Sequence, residues 1–559
     1  MVRLKAELIA RAVITMQGYE KLVNSHEFAQ LTTELAQYPK KLISWEKLLV
    51  LINTHIGNVN KAIDAKLYKL LKTTYTDMLY YFPLLENYYI DYALLEYKLG
   101  HFKSVHTIFK EALAVHNNRS LLLWKNYLQI CNKIVIDQRQ LLKKYSEAED
   151  YIGVHYLSGE FWEMYLEVLK ERCNVKIRYY STLRKVLEIP LHSFSKFYAI
   201  WLKHIDDDIT DLSKLKLFVS EQDIREKLLV DINYKGRRGP YIQKAKEQLK
   251  KYTQDLYTIV QYQVIERYSL FESKLTVQYY TSCDELVSAD QQIIWDKYLD
   301  YVINLNIAPL TQTTFQRALV CLAHYDFVWI KYAQYFLKVE EDIYSAKNVF
   351  LKSLQYALRK GRIIELLTVV LVKTNELYFL DKVFKVWEDS LPEGCEDIED
   401  FQSFWNYIEF QVYLHRNKNQ SRYEDSNSNA FLSDDILSKI MHRLEYQEKR
   451  QGHGIILSYL VDLQTKSNTQ LIEDKVFKEI IRKDLTFLIG GGLFWYLYSK
   501  LIFFDSERSY LERRGYIIER VWSQIPKQYY ERVSTKLLEF CETYLPEDVD
   551  IVYDMRKEQ

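Results

Sequence analysis

Hydrophobic and polar positions alternate along this chain with the period of a helix, and the tryptophans mark the phase. Seven of the ten tryptophans, Trp45, Trp124, Trp162, Trp295, Trp329, Trp405 and Trp495, have Tyr, Leu or Ile three residues later. Those partners are Leu48, Tyr127, Tyr165, Tyr298, Tyr332, Ile408 and Tyr498, and seven residues on each stripe is apolar again, from Ile52 to Ile502. Spacing of i, i+3 and i+7 places three side chains on one helix face. Two further stripes keep the register with tyrosine leading, one from Tyr89 and one from Tyr198 through Trp201. The intervals between leaders are 44, 35, 38, 36 and 34 residues, and the 76 from Trp329 to Trp405 is two units of 38. A period near 34–40 predicts one helix–turn–helix unit per repeat.

A second amphipathic helix is predicted in each unit. Ser104–Leu113, Thr314–Leu319, Ala346–Leu354 and Tyr516–Trp522 carry that pattern, and Pro83, Pro190 and Pro526 end three of the units. Proline cannot continue a helix and so sets the turn into the next one. With 15 glycines and 8 prolines in 559 residues, the chain has few breakers. The predicted fold is all-α, an α-solenoid of helix-turn-helix repeats.

The stripe falls silent between Asp211 and Ala289. That lapse predicts a division into an N-terminal extension (1–19), an amino-terminal array (20–211), a linker with a long helix (212–288), a carboxy-terminal array (289–545) and a tail (546–559). The stretch Tyr241–Tyr280 has no glycine or proline and reads as a rigid spacer. Arg416–Asp435 reads as a polar loop and Cys395–Asp400 as an acidic turn.

Composition narrows the function. Apolar residues are 48% of the chain and aromatics 15%, with 47 tyrosines, enough to fill gaps between stacked helices. Lys and Arg total 75 and Asp and Glu 75, a net charge of zero, whereas a nucleic-acid binder driven by counterion release is usually basic. This balance points to a binder of proteins. The six cysteines, Cys131, Cys173, Cys283, Cys321, Cys395 and Cys541, form no CxxC pair and read as reduced thiols of a cytosolic or nuclear protein. No window approaches 18 uninterrupted apolar residues, so no membrane span is expected.

Signals for chemistry are weak. Gly490–Gly492 lacks the spacing of a phosphate loop and reads as a turn before the Trp495 helix. The 12 histidines form no HxxxH or HExxH pair, and no GxSxG element is present. Catalytic, metal and cofactor sites are expected to be absent, and the carboxylates read as scattered over solvated helix faces. One local cluster stands out. Lys235, Arg237, Arg238, Lys244, Lys246, Lys250 and Lys251, less Glu247, give +6 over 17 residues. It is a candidate contact for RNA phosphates or an acidic partner, set against the plainer reading of a solvated face.

The pattern Trp-x-x-Tyr-x-x-apolar, followed by a helix ending apolar–Phe–x–x–Ala–Leu, resembles the half-a-tetratricopeptide (HAT) repeat. The ordinary tetratricopeptide repeat wants glycine soon after its leading tryptophan, and none of the seven tryptophans is followed by one within two turns. Longer stretches resemble the fungal U1 small nuclear ribonucleoprotein family of pre-mRNA-processing factors thirty-nine and forty-two, and more closely the forty-two branch. These are Leu84–Gly100 (LLENYYIDYALLEYKLG), Gly159–Leu166 (GEFWEMYL), Leu187–Tyr198 (LEIPLHSFSKFY), Asp231–Tyr234 with Gly239–Pro240, and Ala323–Trp329 (AHYDFVW). The likeness runs from about Met16 to Glu547, which sets the first fifteen residues apart as a possible addition.

The resemblance implies a nuclear, non-catalytic scaffold of the U1 particle, acting in 5′ splice-site recognition and early spliceosome assembly. It implies a heterodimer with the paralogous HAT protein through the carboxy-terminal repeats and contact with the U1 C-type protein through the amino-terminal ones. RNA contact would be mostly indirect, with no membrane and no small-molecule substrate. Two other readings remain: a HAT scaffold of mRNA 3′-end cleavage or ribosomal-RNA processing, and an enzyme carrying a helical regulatory array.

Overall fold

A computed structural model describes residues 19–57, 63–173, 176–232, 234, 238–283, 285–379, 382–383, 406, 408–410, 434–445, 453–462, 464 and 469–557. Trp405, the polar loop and the acidic turn lie outside them, save Asp434 and Asp435, which open a helix. Among the described residues every regular element is helical. The chain divides into two compact units, Met1–Tyr335 and Phe336–Gln559.

The first unit is built from paired helices. They are α1 (His26–Gln37), α2 (Leu42–Ile56), α3 (Ala65–Tyr81), α4 (Glu86–Leu99), α5 (Phe102–Val115), α6 (Leu121–Ile134), α7 (Gln138–Ile152), α8 (Gly159–Val168), α9 (Lys176–Val186) and α10 (Phe194–Asp208). After the short α11 (Glu221–Glu226) come the 30-residue α12 (Arg238–Arg267), α13 (Ala289–Asn304), α14 (Ala308–Cys321) and α15 (Asp326–Lys338), within which the unit boundary falls. Helix starts are written in side chains that satisfy orphan amides. Ser25, Asp64, Ser120, Asp137 and Ser288 each accept a hydrogen bond from a first-turn N–H. Gly100, at φ 85°, closes α4 in the left-handed conformation that glycine adopts without steric cost.

The tryptophan register becomes a fixed place in three dimensions. Trp45, Trp124, Trp162 and Trp329 are each the fourth residue of their helix and are buried. Three of these indoles reach back six residues to the turn before the helix. Trp45 Nε1 donates to the Pro39 carbonyl (2.8 Å), Trp124 to Asn118 (2.7 Å) and Trp329 to Ala323 (2.8 Å). Trp162 donates instead to the Gly153 carbonyl at 3.0 Å, and Trp295, seventh in α13, to Val277 at 3.4 Å. Each indole therefore fills the core and also binds a turn carbonyl that would otherwise be buried without a partner. The tyrosine-led stripes differ. Tyr89 is buried, whereas Tyr198 is half-buried and stacks on Tyr257 at 4.3 Å, leaving Trp201 to fill the core one turn later.

One apolar core runs without a break from Leu22 to Leu249, so α12 belongs to it. The stretch expected as a free-standing spacer is a packed helix, antiparallel to α10. Its first half lies beside the end of α10 through Lys250 and Asp206, and its second half beside the start of α10 through Tyr257 and Phe194. It then continues to the α7–α8 turn, where Val260 and Val264 cluster with Tyr156. The sequence pattern hid this because α12 carries no tryptophan, and the apolar residues it buries are aliphatic, Ala245, Leu249, Val260 and Val264. Beyond α12, α14 packs against α7. Residues 289–335, expected to open the second array, thus sit inside the first unit.

The second unit contains α16 (Ile343–Tyr356), α17 (Gly361–Lys373), α18 (Asp434–Glu445), α19 (His453–Asp462), the short α20 (Thr469–Ile472), α21 (Lys478–Arg482) and α22 (Thr486–Ile489), then α23 (Gly492–Phe503), α24 (Tyr510–Tyr516), α25 (Tyr530–Tyr544) and α26 (Val549–Lys557). Trp495 is fourth in α23 and donates to the Ile489 carbonyl at 2.8 Å, the same device. The glycine run is the turn between α22 and α23. Gly492 is required there because a Cβ would lie 2.9 Å from Lys536 Cβ and 3.1 Å from the Arg532 carbonyl of α25.

Replacing Trp124 by alanine is expected to cost about 3–5 kcal/mol, the range for large aromatic truncations in a core. Phenylalanine there should cost less, losing mainly the bond to Asn118. Urea denaturation of both variants, followed by far-UV circular dichroism, measures the two steps.

Candidate partner interface

The basic cluster splits into two parts with different work. Lys235, Arg237 and the Arg238 side chain lie outside the described residues. Lys246 Nζ donates to the Asp206 carbonyl at 2.7 Å, and Lys250 Nζ stands 2.6 Å from the Asp206 carboxylate. Both cations sit at the carboxy-terminal end of α10, where the helix dipole favours positive charge. They hold α12 to α10. Lys244 and Lys251 are exposed, but Glu247, three and four residues from them, shares their face. Among the described residues, the part of the cluster outside that tie is two lysines around one glutamate.

The carboxylates are not all on solvated faces. In the first unit α12 ends in a π turn, Tyr268–Glu272, which turns Glu272 inward. Arg317 of α14 meets Glu272 with both terminal nitrogens, at 2.6 and 2.9 Å, and Tyr298 of α13 donates to it at 2.7 Å. Burial alone would push the Glu272 carboxyl up, but the Arg317 charge and these hydrogen bonds more than offset it, and the pKa falls below 4.5. Burial, and then Glu272 itself, hold the Tyr298 phenol well above its ordinary range.

The second unit repeats the device. Glu473 opens a π turn, Glu473–Phe477, and is buried. Tyr498 of α23 donates to it at 3.0 Å and Tyr516 of α24 at 2.6 Å, while Lys478 stands at 3.2 Å. In both units the tyrosine is the one three residues after the repeat tryptophan, and the glutamate lies 23 or 22 residues before that tryptophan. A search for glutamate at that offset would have found the pair; helical periodicity alone does not, because a π turn shifts the register. A third buried carboxylate, Glu96, accepts from Tyr68 at 2.8 Å and meets His101 Nδ1 at 2.7 Å.

These groups are locked to one another and do structural work. Among the described residues no group of three or more His, Cys, Asp or Glu is placed to hold a metal ion. Cys131, Cys321 and Cys541 are buried free thiols, and burial raises each pKa. Among the described residues no helix is long and apolar enough to cross a membrane.

A tryptophan-registered helical hairpin array with buried Glu–Tyr ties defines the class: a HAT-repeat solenoid. The model of the PRP39 N-terminal HAT repeat matches residues 29–203, and that of the PRP39 C-terminal HAT repeat matches 266–393. The chain belongs to the PRP39/PRP42 family of HAT-repeat pre-mRNA-processing proteins. It is 46% identical to the U1 small nuclear ribonucleoprotein component PRP42 of Saccharomyces cerevisiae, over 97% of this chain and all of that protein. Pre-mRNA-processing factor 39 of Schizosaccharomyces pombe is 24% identical over 55% of this chain and 51% of its own length. The human factor 39 is 19% identical over 61% of the chain and 52% of its own. The chain thus spans about half the length of these factor 39 relatives.

Glu272→Gln is expected to destabilise the protein by about 3–5 kcal/mol at pH 7, since it strands the buried Arg317 charge. The sign of the pH dependence follows from the lowered carboxyl. Its stabilisation is full above the ordinary value of 4.5 and is lost as pH falls through the lower folded value. Urea midpoints measured between pH 7 and pH 3 should therefore fall less steeply for the variant than for the parent.

Proposed function

We propose that this chain is a non-catalytic scaffold subunit of the U1 small nuclear ribonucleoprotein, acting in the nucleus in 5′ splice-site recognition. The observation that carries the reading is end-to-end identity of 46% with a protein named as a U1 component. The architecture supports it, because a stack of helical hairpins offers long surfaces to several partners while its buried Glu–Tyr ties stay inside.

In this reading the protein pairs with its paralogous HAT-repeat protein through repeats after Ala289, and meets a U1 C-type protein through the amino-terminal repeats. Lys244 and Lys251 are exposed members of the basic cluster, offered with Lys235, Arg237 and Arg238 to RNA phosphates or an acidic partner.

Affinity purification of the tagged full chain from nuclear extract should recover U1 RNA and the paralogous HAT protein. Recovery of neither overturns the reading. Within a recovered particle, Lys244→Glu with Lys251→Glu is expected to leave thermal stability within about 0.5 kcal/mol, as for other surface sites. Binding to the partner these lysines touch should weaken and become less salt-sensitive. Unchanged binding across a salt titration removes them from the interface.

A further inference from the structure

Where α14 packs on α7, the first unit encloses a half-open cleft of 230 Å³. Its charged lining includes Arg119, Lys125, Arg317 and Glu86, and the start of α6 at Ser120–Leu122 opens into it. Lys125 is paired with Glu160, and Arg317 with Glu272. Arg119 is different. Its guanidinium donates to the Tyr151 carbonyl and the Thr313 hydroxyl, both at 3.3 Å, and to the Gln312 amide oxygen, and it lies over the Tyr151 ring at 5.6 Å. All of these partners are neutral, and among the described residues no carboxylate stands within ion-pair distance of it.

Arg119 is held in place by its surroundings. Asn117 and Asn118 adopt left-handed φ of 52° and 58°, a conformation asparagine tolerates, and the Asn117 amide donates to Gln316 at 2.9 Å. The guanidinium is thus pre-positioned, part-buried and without a counter-ion, a state that a bound anion stabilises. Beside it, the first amides of α6 lack intrahelical acceptors and favour negative charge. His116, fully buried, keeps Nε2 without a hydrogen-bond partner, 3.8 Å from the Glu86 carboxylate of the lining. Glu86 is the one acidic group among the described residues of the cleft lining.

We infer that this cleft is a docking site for an acidic peptide segment of a partner protein, whose carboxylate pairs with Arg119. The rest of the wall fixes the class of ligand. Leu121, Leu122 and Leu157 supply aliphatic surface beside the guanidinium, and Leu157 is 45% exposed. A carboxylate next to a branched aliphatic side chain matches a cation next to leucines. A sugar–phosphate backbone gains nothing from those leucines. This inference goes beyond the U1 reading and stands whichever particle holds the chain.

The test uses the full chain, immobilised and panned against a random decapeptide library. Enriched peptides are expected to place Asp or Glu beside Leu, Ile or Val. Fluorescence anisotropy with the enriched peptide should show binding weakened about tenfold or more by Arg119→Ala, the scale of a lost charged hydrogen bond. Because Arg119 also ties α7 to α14, Leu157→Glu is the second variant. It alters an exposed side chain, spares the packing and sets a repelling carboxylate at the rim, and a comparable loss is expected. No enrichment, enriched peptides without carboxylates, binding within twofold in Leu157→Glu, or displacement by decauridylate would each overturn the assignment.

Discussion

A helical hairpin stack leaves backbone carbonyls in its turns, pressed wholly or partly out of water between helices. The indole N–H of the repeat tryptophan removes that cost at Pro39, Asn118, Ala323 and Ile489, four turns of the same kind. The same side chain supplies the largest apolar surface of its hairpin. In these four helices both tasks fall to one position, the fourth residue of the helix. Tyrosine three residues on completes the device. Where tryptophan leads, that tyrosine is free to bind a carboxylate from the preceding helix, as Tyr298 and Tyr498 do.

Much of the fold was legible in the sequence because helical hairpins are local. Apolar spacing and the proline stops marked the helices that carry the tryptophan and tyrosine stripes and several of their partners. Two things were not legible. The packing of α12 depends on residues such as Ala245, Leu249 and Val260, which carry no aromatic signature and whose partners lie far away in the chain. The buried glutamates depend on π turns, which move a side chain off the 3.6-residue period that the reading relied on. The candidate site fared similarly. Charge counting found the lysines of α12, but not that Asp206 takes two of them, nor that Arg119, a single arginine in a turn, stands without a counter-ion.

The two buried glutamate sites also set a limit on change. Each carboxylate is stable only with all of its donors present, so Arg317, Tyr298 and Glu272 must be kept or replaced together. Relatives that retain the hairpins while changing their surfaces are expected from such an arrangement, since the surface is free of this coupling.

The contact between α7 and α14 gives the first unit a property that ordinary solenoids lack. In a linear array each repeat touches its neighbours alone, so stability accumulates unit by unit and the ends can fray separately. Here the Thr313 hydroxyl lies 3.2 Å from the Tyr151 carbonyl, 162 residues away in the chain. The amino-terminal hairpins therefore gain a long-range neighbour and melt as part of a larger cooperative block. On the ribosome the face of α7 stays uncovered until α14 has emerged, an interval of roughly 10–30 s at ordinary rates of synthesis. For that time the nascent chain shows an unfinished surface, and chaperones have a defined window in which to hold it.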